Sequence, residues 1–256
     1  MIVRKTRGEL DLMDEANRIV HQVLDILEQE VAPGISTREL DRIAEGHIRA
    51  AGAAPAFLGY NGFPATLCTS VNDVIIHGIP NDMPLREGDI IGIDCGVLHL
   101  GYYGDAARTF AVGRVQPPAG RLLDVTRRAL EAAVGQVRPG GRLSDIGHAV
   151  QGVVEEAGFS VVREFVGHGV GTSLHEDPQI PNYGEPGRGI KLRPGMVLAI
   201  EPMVNAGDPE VRMDEDGWTA RTVDGSLSAH FEYSVAVTEA GARVLGVEAM
   251  RSAATA

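Results

Sequence analysis

The sequence predicts a mixed α/β (α+β) protein built from two related halves, each running from helices into strands. Two observations lead to this fold class. Apolar residues recur at helical spacing in stretches that alternate with short β-rich runs. In addition, residues 85–94 are repeated at 192–201, an offset of 107 residues. The chain of 256 residues is long enough for one large domain with an ample core.

Four helices are expected from apolar stripes and their flanking signals. The first covers 9–31 and stops at Ala32-Pro33-Gly34, and the second begins at Ser36, which has capping-box spacing to Glu39. A third helix is expected near 119–134, and a fourth after Ser144. We interpret all four stripes as core. The β-rich runs predict strands at 67–79, 90–97, 108–112, 196–201 and 229–237.

The internal repeat predicts how residues distant in sequence meet. Pro33-Gly34 matches Pro139-Gly140 at an offset of 106 residues, close to the offset of the longer match. We therefore expect pseudo-repeat halves at about 9–113 and 117–240 within a single domain, 1–256, since no linker-like composition separates them. Each half is expected to end its equivalent strand in a carboxylate. Two facing halves would bring Asp94 and Glu201 to one pseudo-symmetric centre.

Composition excludes several classes of protein. The net charge of −12 disfavours nucleic acid or an anionic membrane as the main partner. The sequence has neither a secretory signal pattern nor a long apolar run. The two cysteines, Cys68 and Cys95, form no CxxC pair and are best explained as small buried residues in a reducing compartment. We expect a soluble cytoplasmic protein.

Five polar residues lie in contexts that are otherwise apolar or glycine-rich. An ionised carboxylate in a buried strand costs several kcal/mol unless it is paired or binds a metal ion. No basic residue alternates with these positions, so we interpret the set as a metal centre. Taken alone, each residue would more often be a turn or loop residue than a metal ligand. Taken together, with the repeat relating two of them, the five favour a metal centre. The five residues are Asp94, Asp105, His168, Glu201 and Glu232.

The spacing and chemistry of this set predict two divalent ions. Asp94 and Asp105 flank a predicted turn near 99–101, so a hairpin would place both carboxylates on one face. Four carboxylates carry four negative charges, which two divalent cations neutralise. One imidazole among carboxylates suits Mn, Fe or Co, with Zn also acceptable. The arrangement is typical of a two-metal hydrolase in which a bridging water becomes hydroxide near neutral pH.

Short motifs spread along the chain occur in a fixed order. They are Val74-Ile75-Ile76-His77-Gly78-Ile79-Pro80, Ile91-Gly92-Ile93-Asp94, Gly104-Asp105, Gly167-His168-Gly169-Val170-Gly171, His175-Glu176-Asp177-Pro178, Leu198-Ala199-Ile200-Glu201-Pro202 and Asp216-Gly217-Trp218-Thr219. In these motifs the chain resembles the type I methionine aminopeptidases over nearly its whole length. The resemblance implies the pita-bread fold, with pseudo-symmetric halves around a central antiparallel sheet, and removal of the initiator methionine when the second residue is small.

The resemblance also implies residue roles. The five metal-site residues above match the family's ligands to two divalent ions (Co, Mn, Fe or Zn), and Asp105 and Glu232 would bridge them. Glu201 would be the general base, His175 would hydrogen-bond the scissile carbonyl and its oxyanion, and His77 would contact the amide on the leaving side. The implied methionine pocket contains Phe57, Tyr60, Phe63, Cys68, Leu174 and Trp218. Leu174 departs from the family, where this position is commonly aromatic.

Further expectations come from the same resemblance. Asn72, Val74 and Ser228 match a site for a monovalent cation, Na or K. The implied partners are the N-termini of nascent polypeptides and the ribosome near its exit tunnel, without direct nucleic-acid specificity or membrane binding. We expect a monomer.

Two alternatives stay open at this point. A proline-specific aminopeptidase or prolidase shares the fold but carries a sizeable extra N-terminal domain, which this sequence does not supply. A non-catalytic binding relative, or a metal-free creatinase-like member, would have lost its ligands. Here all five metal positions and both histidines, His77 and His175, are filled.

Overall fold

The computed structural model describes residues 2–247. Its helices are α1 (Arg7–Glu30), α2 (Thr37–Ala50), α3 (Pro117–Val134) and α4 (Leu143–Glu156), and a short 3-10 turn covers Tyr60–Gly62. The strands are β1 (Ala54–Pro55), β2 (Leu67–Val71), β3 (Val74–Ile76), β4 (Ile90–His99), β5 (Tyr102–Ala111), β6 (Ser160–Val161), β7 (Gly167–Gly169), β8 (Glu176–Ile180), β9 (Val197–Ile200), β10 (Met203–Asn205), β11 (Val211–Met213), β12 (Ala220–Thr222), β13 (Ser228–His230), β14 (Tyr233–Thr238) and β15 (Gly241–Val244). Within this part of the chain, no helix combines the length and apolar character needed to cross a membrane.

All four predicted helices form, with small differences at their N-termini. Helix α1 begins two residues earlier than predicted, because Thr6 and Glu9 form a reciprocal capping box. At α2 only half of the expected box forms: Ser36 accepts from the Glu39 amide, whereas the Glu39 carboxylate pairs with Arg42. Helix α4 begins at Leu143, before the predicted start, and the Ser144 hydroxyl bonds the carbonyl of Arg188 instead.

Two predicted strands are interrupted in the structure. The run 67–79 divides into β2 and β3 at Asn72, which has a φ of 56° and uses its side chain to bond Asp89 and the Ile90 amide. The run 229–237 divides into β13 and β14, with Phe231 and Glu232 in the gap. The expectation that both equivalent strands end in a carboxylate was wrong for Asp94, since β4 continues to His99. It was correct for Glu201, which directly follows β9.

The hairpin predicted near 99–101 forms between β4 and β5. Its turn residues, Leu100 and Gly101, have φ values of 50° and 84°, as a two-residue hairpin loop requires. β5 begins at Tyr102, earlier than the predicted 108, because it pairs with β4 along its whole length. The hairpin packs against α1 and α2 in a core that includes Leu24, Ile93 and Val97.

The strand pairs among residues 2–247 are antiparallel, as expected, and they form four hydrogen-bonded sheets rather than one. A second core, formed by α3 and α4 with β9, β10 and β14, includes Leu122, Val150 and Leu198. The metal-site residues lie where the β4–β5 sheet meets the sheet that contains β7, β9 and β14.

Several local features recur at the offset of the sequence repeat. The Gly34 amide donates to the Leu85 carbonyl, and the Gly140 amide donates to that of Leu192, each across a turn with positive φ at the glycine. Single β-bridges join Ser36 to Pro84 and Arg142 to Lys191. The division into halves at 9–113 and 117–240 stays a prediction.

Candidate metal centre and substrate pocket

The β4–β5 register places Asp94 and Asp105 on one face of the hairpin. Asp94 lies opposite Ala107, and Asp105 lies opposite Gly96. Since cross-strand partners share a face and side chains alternate along a strand, both carboxylates point to the same side. The backbone of Asp105 is fixed from two directions: its N–H donates to Asn17 Oδ1 at 3.3 Å, and its carbonyl accepts from the Ser234 hydroxyl at 2.9 Å.

The later strands bring Glu201 and Glu232 to this face. The Glu201 carbonyl accepts from the side-chain amide of Asn182 at 3.0 Å. Glu232 lies in the gap between β13 and β14, and its N–H donates to the Ala107 carbonyl of β5 at 2.9 Å. This bond ties the two sheets together beside the carboxylates.

His168 lies in β7 with its Nδ1 2.9 Å from the carbonyl oxygen of Gly169. A carbonyl can only accept, so Nδ1 carries the proton and Nε2 presents a lone pair. Nε2 lies 3.5 Å from Glu201 Oε1 and 3.9 Å from Asp105 Oδ2. Burial, with the neighbouring His175, lowers the pKa of His168 to about 4, which keeps the ring neutral as a metal ligand must be.

The four carboxylates and His168 fit a divalent metal ion. Asp105, His168 and Glu232 each offer one ligand atom, and these atoms lie within 4.8 Å of one another. One carboxylate oxygen on each of Asp94, Asp105 and Glu232 is buried without a hydrogen-bond partner. Buried oxygens of this kind are normally satisfied by a donor or by a cation.

The electrostatics point in the same direction. Burial raises the pKa of Asp94 to about 7. Burial and the adjacent carboxylates raise the pKa values of Asp105, Glu201 and Glu232 well above their ordinary range. Protonation or bound cations must therefore offset this concentration of negative charge near neutral pH.

One cavity of about 360 Å³ contains both the metal cluster and the predicted methionine pocket. Its apolar wall is a separate hydrophobic cluster that includes Phe57, Phe63, Cys68 and Leu174, with Tyr60 and Trp218 packed against it. Cys68 is the register partner of Asp94 on β2, so the sulfur lies next to the carboxylates. All predicted pocket residues line this cavity, and so does Asn61, which was not predicted.

His77 and His175 both line the cavity. His175 Nδ1 lies 2.8 Å from the Tyr60 hydroxyl, and the His175 ring centroid lies 4.2 Å from that of His168. His77 has a φ of 59°, and its ring packs edge-on against Phe165 and Trp218. Burial lowers the pKa of His77 to about 4, so it enters the site as a neutral ring.

The Trp218 wall is held by an Asp turn. Asp216 Oδ1 accepts from the amides of Trp218 and Thr219, each at 2.8 Å, and Asp216 Oδ2 accepts from the Thr219 hydroxyl at 2.6 Å. In the Asp-Gly-Trp-Thr motif, the aspartate side chain therefore takes the place of backbone hydrogen-bond acceptors and fixes the loop that carries Trp218.

His230 was missed by the sequence analysis. It is buried, and its Nε2 lies 3.7 Å from Glu201 Oε2 without a hydrogen-bond partner. Burial, with the neighbouring His77, lowers its pKa to about 3. The available signal was its position two residues before Glu232 in an apolar run, which suggests a shared environment.

The three residues predicted to bind a monovalent cation lie close together. They are Asn72, Val74 and Ser228. The Asn72 carbonyl accepts from the Ser228 amide at 2.8 Å, and Val74 begins the adjacent strand β3. The Asn72 side chain is bonded to Asp89 and to the Ile90 amide. Binding of a monovalent cation at these residues stays a prediction.

Comparison with known proteins shows the family of the chain. Residues 11–239 match metallopeptidase family M24. The chain is 53% identical to methionine aminopeptidase 1 of Bacillus subtilis over 96% of this chain and 99% of that protein. The chain belongs to the methionine aminopeptidases of family M24. It is therefore a hydrolase, a metallo-aminopeptidase that binds divalent metal.

Two solved structures match this chain to different extents. A methionine aminopeptidase from Rickettsia prowazekii superposes with a TM-score of 0.95 at 42% identity, covering 96% of this chain and 100% of that chain. A prolidase from Pyrococcus furiosus superposes with a TM-score of 0.75 at 25% identity, covering 95% of this chain and 65% of that chain. The proline-specific alternative is not favoured.

Proposed function

We propose that this enzyme removes the N-terminal methionine from peptides and nascent proteins whose second residue is small. The observation that carries the proposal is that the apolar cavity and the carboxylate cluster are one continuous space. A side chain held against Phe57, Phe63 and Trp218 places its own α-amine and carbonyl beside the cluster. The preference for a small second residue rests on the family resemblance.

The residues would divide the chemistry as follows. Asp94, Asp105, His168, Glu201 and Glu232 would hold two divalent ions. Bound ions polarise the scissile carbonyl and activate water as the nucleophile. Glu201, whose pKa burial raises, would accept the proton of that water and pass it to the leaving amine.

His175 would stabilise the developing oxyanion through Nε2–H. This role requires the tautomer in which Nδ1 accepts a hydrogen bond, and the Tyr60 hydroxyl lies 2.8 Å from Nδ1 as a donor. His77, which packs edge-on against Trp218, would contact the leaving amide. Burial keeps both rings neutral, so neither adds positive charge that would compete with the cations.

The proposal also covers the identity of the metal ions, a monovalent cation, the cellular location and the partners. The oxygen-rich ligand set favours Mn, Fe or Co, with Zn acceptable, and Asn72, Val74 and Ser228 would bind Na or K. We propose a cytoplasmic monomer that acts on nascent polypeptide N-termini near the ribosomal exit tunnel.

A matched peptide panel tests the substrate assignment. Metal-free protein is titrated with Mn²⁺, Co²⁺, Fe²⁺ or Zn²⁺ and assayed on Met-Ala-Ser, Leu-Ala-Ser, Met-Lys-Ser, an Xaa-Pro peptide and N-acetylated Met-Ala-Ser. Release of methionine from Met-Ala-Ser alone is expected, and chelation should abolish it. Cleavage of the Xaa-Pro peptide with Met-Ala-Ser intact would contradict the proposal, and so would inactivity of fully metallated protein.

The role of His175 is tested by His175→Ala. Loss of one preorganised oxyanion donor typically lowers kcat by about 10²–10³-fold. Because the interaction strengthens in the transition state, kcat and kcat/KM should fall together while metal content stays unchanged. An unchanged kcat would refute this role.

A further inference from the structure

The N-terminal arm, residues 2–6, reaches the loop that carries His175. Lys5 is one of only two lysines in the chain, and its side chain is just 3% exposed. Its Nζ lies 2.6 Å from Glu176 Oε2, and the Glu176 side chain is 12% exposed. Glu176 directly follows His175. The two partners of this buried ion pair are 171 residues apart in sequence.

The Lys5 end of this pair is fixed to the sheet. The Lys5 amide donates to the Gly195 carbonyl at 2.6 Å. The Gly195 amide in turn donates to the Val237 carbonyl of β14 at 2.9 Å. Gly195 has a φ of 91°, and a Cβ there would lie 2.6 Å from the Lys5 carbonyl oxygen. The arm therefore has little freedom to move relative to β9 and β14, the strands that flank Glu201 and Glu232.

The Glu176 end organises the loop itself, residues 171–176, which we call the His175 loop. Glu176 Oε1 accepts from the Ser173 amide at 3.3 Å. The Gly171 amide donates to the Ser173 carbonyl at 3.1 Å, and the Gly171 carbonyl accepts from the Tyr103 amide at 2.9 Å. A Cβ on Gly171 would overlap Glu176 Oε1 and the end of the Lys5 side chain, so the ion pair fills the space beneath the loop.

From this geometry we infer that Lys5, through Glu176, is a positioning residue for His175. A buried ion pair adds little net stability compared with apolar side chains of similar size, but it fixes the direction of both partners. Here the direction matters, because the His175 loop carries an apolar wall residue, Leu174, and a catalytic histidine. Neither Lys5 nor the Glu176 carboxylate contacts a carboxylate of the metal cluster in the described residues.

The inference rests on the proposed role of His175 and predicts a specific pattern in the kinetics. Lys5→Met should lower kcat by about 10–10²-fold, since a small displacement of a catalytic group typically costs up to about 10²-fold. KM for Met-Ala-Ser should change less than kcat, and bound metal per chain should match wild type. Lys5→Arg should restore most of the activity, because it keeps the charge and the donors.

Two further variants separate positioning from the effect of an unpaired charge. Glu176→Gln and the neutral pair Lys5→Met/Glu176→Gln should both show a loss in kcat similar to Lys5→Met, which is the non-additivity expected of residues that act as a unit. The double variant has no unpaired buried charge, so it carries the test if Lys5→Met fails to fold. The control is Lys191→Met, the other lysine, which is exposed and should retain wild-type kcat.

Hydrogen exchange supplies a readout that does not depend on activity. Amides 171–176, Ser173 above all, should exchange faster in Lys5→Met and in the double variant, and at the wild-type rate in Lys191→Met. Wild-type kcat or unchanged exchange in Lys5→Met would overturn the inference. So would a return to wild-type kcat in the double variant, or a loss of kcat that follows a loss of metal. Inactive wild-type protein with accelerated exchange in the variants would instead refute the proposed function.

Discussion

The two hairpin carboxylates and the two later carboxylates reach the same cavity by different means. Asp94 and Asp105 lie inside regular strands, and the register of one hairpin with two ten-residue strands fixes their spacing. Glu201 lies just after β9, and Glu232 lies in the gap between β13 and β14. The first pair depends on a local ladder of hydrogen bonds, whereas the second depends on contacts from other parts of the chain.

Those contacts replace the missing ladder at the interruption. The Thr109 hydroxyl donates to the His230 carbonyl at 2.7 Å and accepts from the His230 amide at 2.9 Å. Next to it, the Glu232 amide donates to Ala107. A side chain on β5 thus takes the place of a backbone partner and sets the position of Glu232. We call Asp94 and Asp105 the regular half of the metal centre, and Glu201 and Glu232 its irregular half. The position of the irregular half thus depends on the hairpin that carries the regular half.

The largest expected effect tests whether the regular and irregular halves of the metal centre contribute equally to activity and metal binding. Asp105→Asn and Glu232→Gln should each lower activity by roughly 10³-fold, because each removes a ligand charge worth several kcal/mol. Metal per chain, measured by elemental analysis, should fall in both. Asp124→Asn, on the exposed face of α3, is the matched control and should keep its metal. Full metal occupancy in either ligand variant would contradict the assignment.

The pH dependence of the metal-free protein should show the cost of holding the four carboxylates together. Burial raises the pKa of Asp94 to about 7, above its unfolded value. The protonated form therefore stabilises the fold at low pH, and this stability is lost as the pH rises through the folded pKa. The temperature of the unfolding midpoint of metal-free protein should therefore decrease as the pH rises from about 4 to about 7.

Metal should offset this loss. Mn²⁺ at 100 times its Kd is expected to add about 2.7 kcal/mol to the free energy of unfolding at a given pH. Because the ion binds the deprotonated carboxylates, its affinity should rise over the same pH range, with release of protons. A metal-free protein whose stability is highest near pH 8 would contradict this electrostatic account.

A smaller effect is expected from the contact that supports the irregular half. Thr109→Val keeps the side-chain shape but removes both bonds to His230, so Glu232 loses one of the contacts that position it, while its backbone bond to Ala107 stays. Metal affinity should fall by about 10–100-fold, the usual effect of removing a group that orients a ligand. Thr126→Val is the control, since the buried Thr126 hydroxyl donates to the Leu122 carbonyl within its own helix. Equal affinities in the two variants would show that Thr109 does not position Glu232.

The smallest effect concerns the regular half. Leu100 is exposed and holds a φ of 50° in the hairpin turn, a conformation that costs an ordinary L-residue about 1–2 kcal/mol. Leu100→Asn should raise the free energy of unfolding by about 1 kcal/mol, since asparagine adopts this conformation readily. kcat should stay unchanged. A decrease in stability, measured by denaturant unfolding, would show that Leu100 makes contacts that outweigh the strain.

The regular half was also the easier one to predict. The hairpin, its turn and the shared face of Asp94 and Asp105 follow from alternation and from short spacing along the chain. The interruption at Glu232 could not be predicted in this way, because the residues around it have strand-like composition and the bonds that compensate for the break come from distant residues, including Thr109 and Ala107. His230 was missed for the same reason. His230 Nε2 lies near Glu201 Oε2 through a tertiary contact, and no local sequence pattern encodes this distance.

The sequence by itself determined the helices, seven of the fifteen strands in residues 2–247, the repeat offset and the family, since periodicity, capping and motif spacing are properties of neighbouring residues. It also named the pocket residues through the family resemblance. Only the tertiary structure decided that the pocket and the carboxylates form one cavity, and that Lys5 lies beneath the His175 loop. Contacts between residues more than 100 positions apart depend on how two sheets and an N-terminal arm pack. Burial and ion pairing at such contacts have no signature in the local sequence.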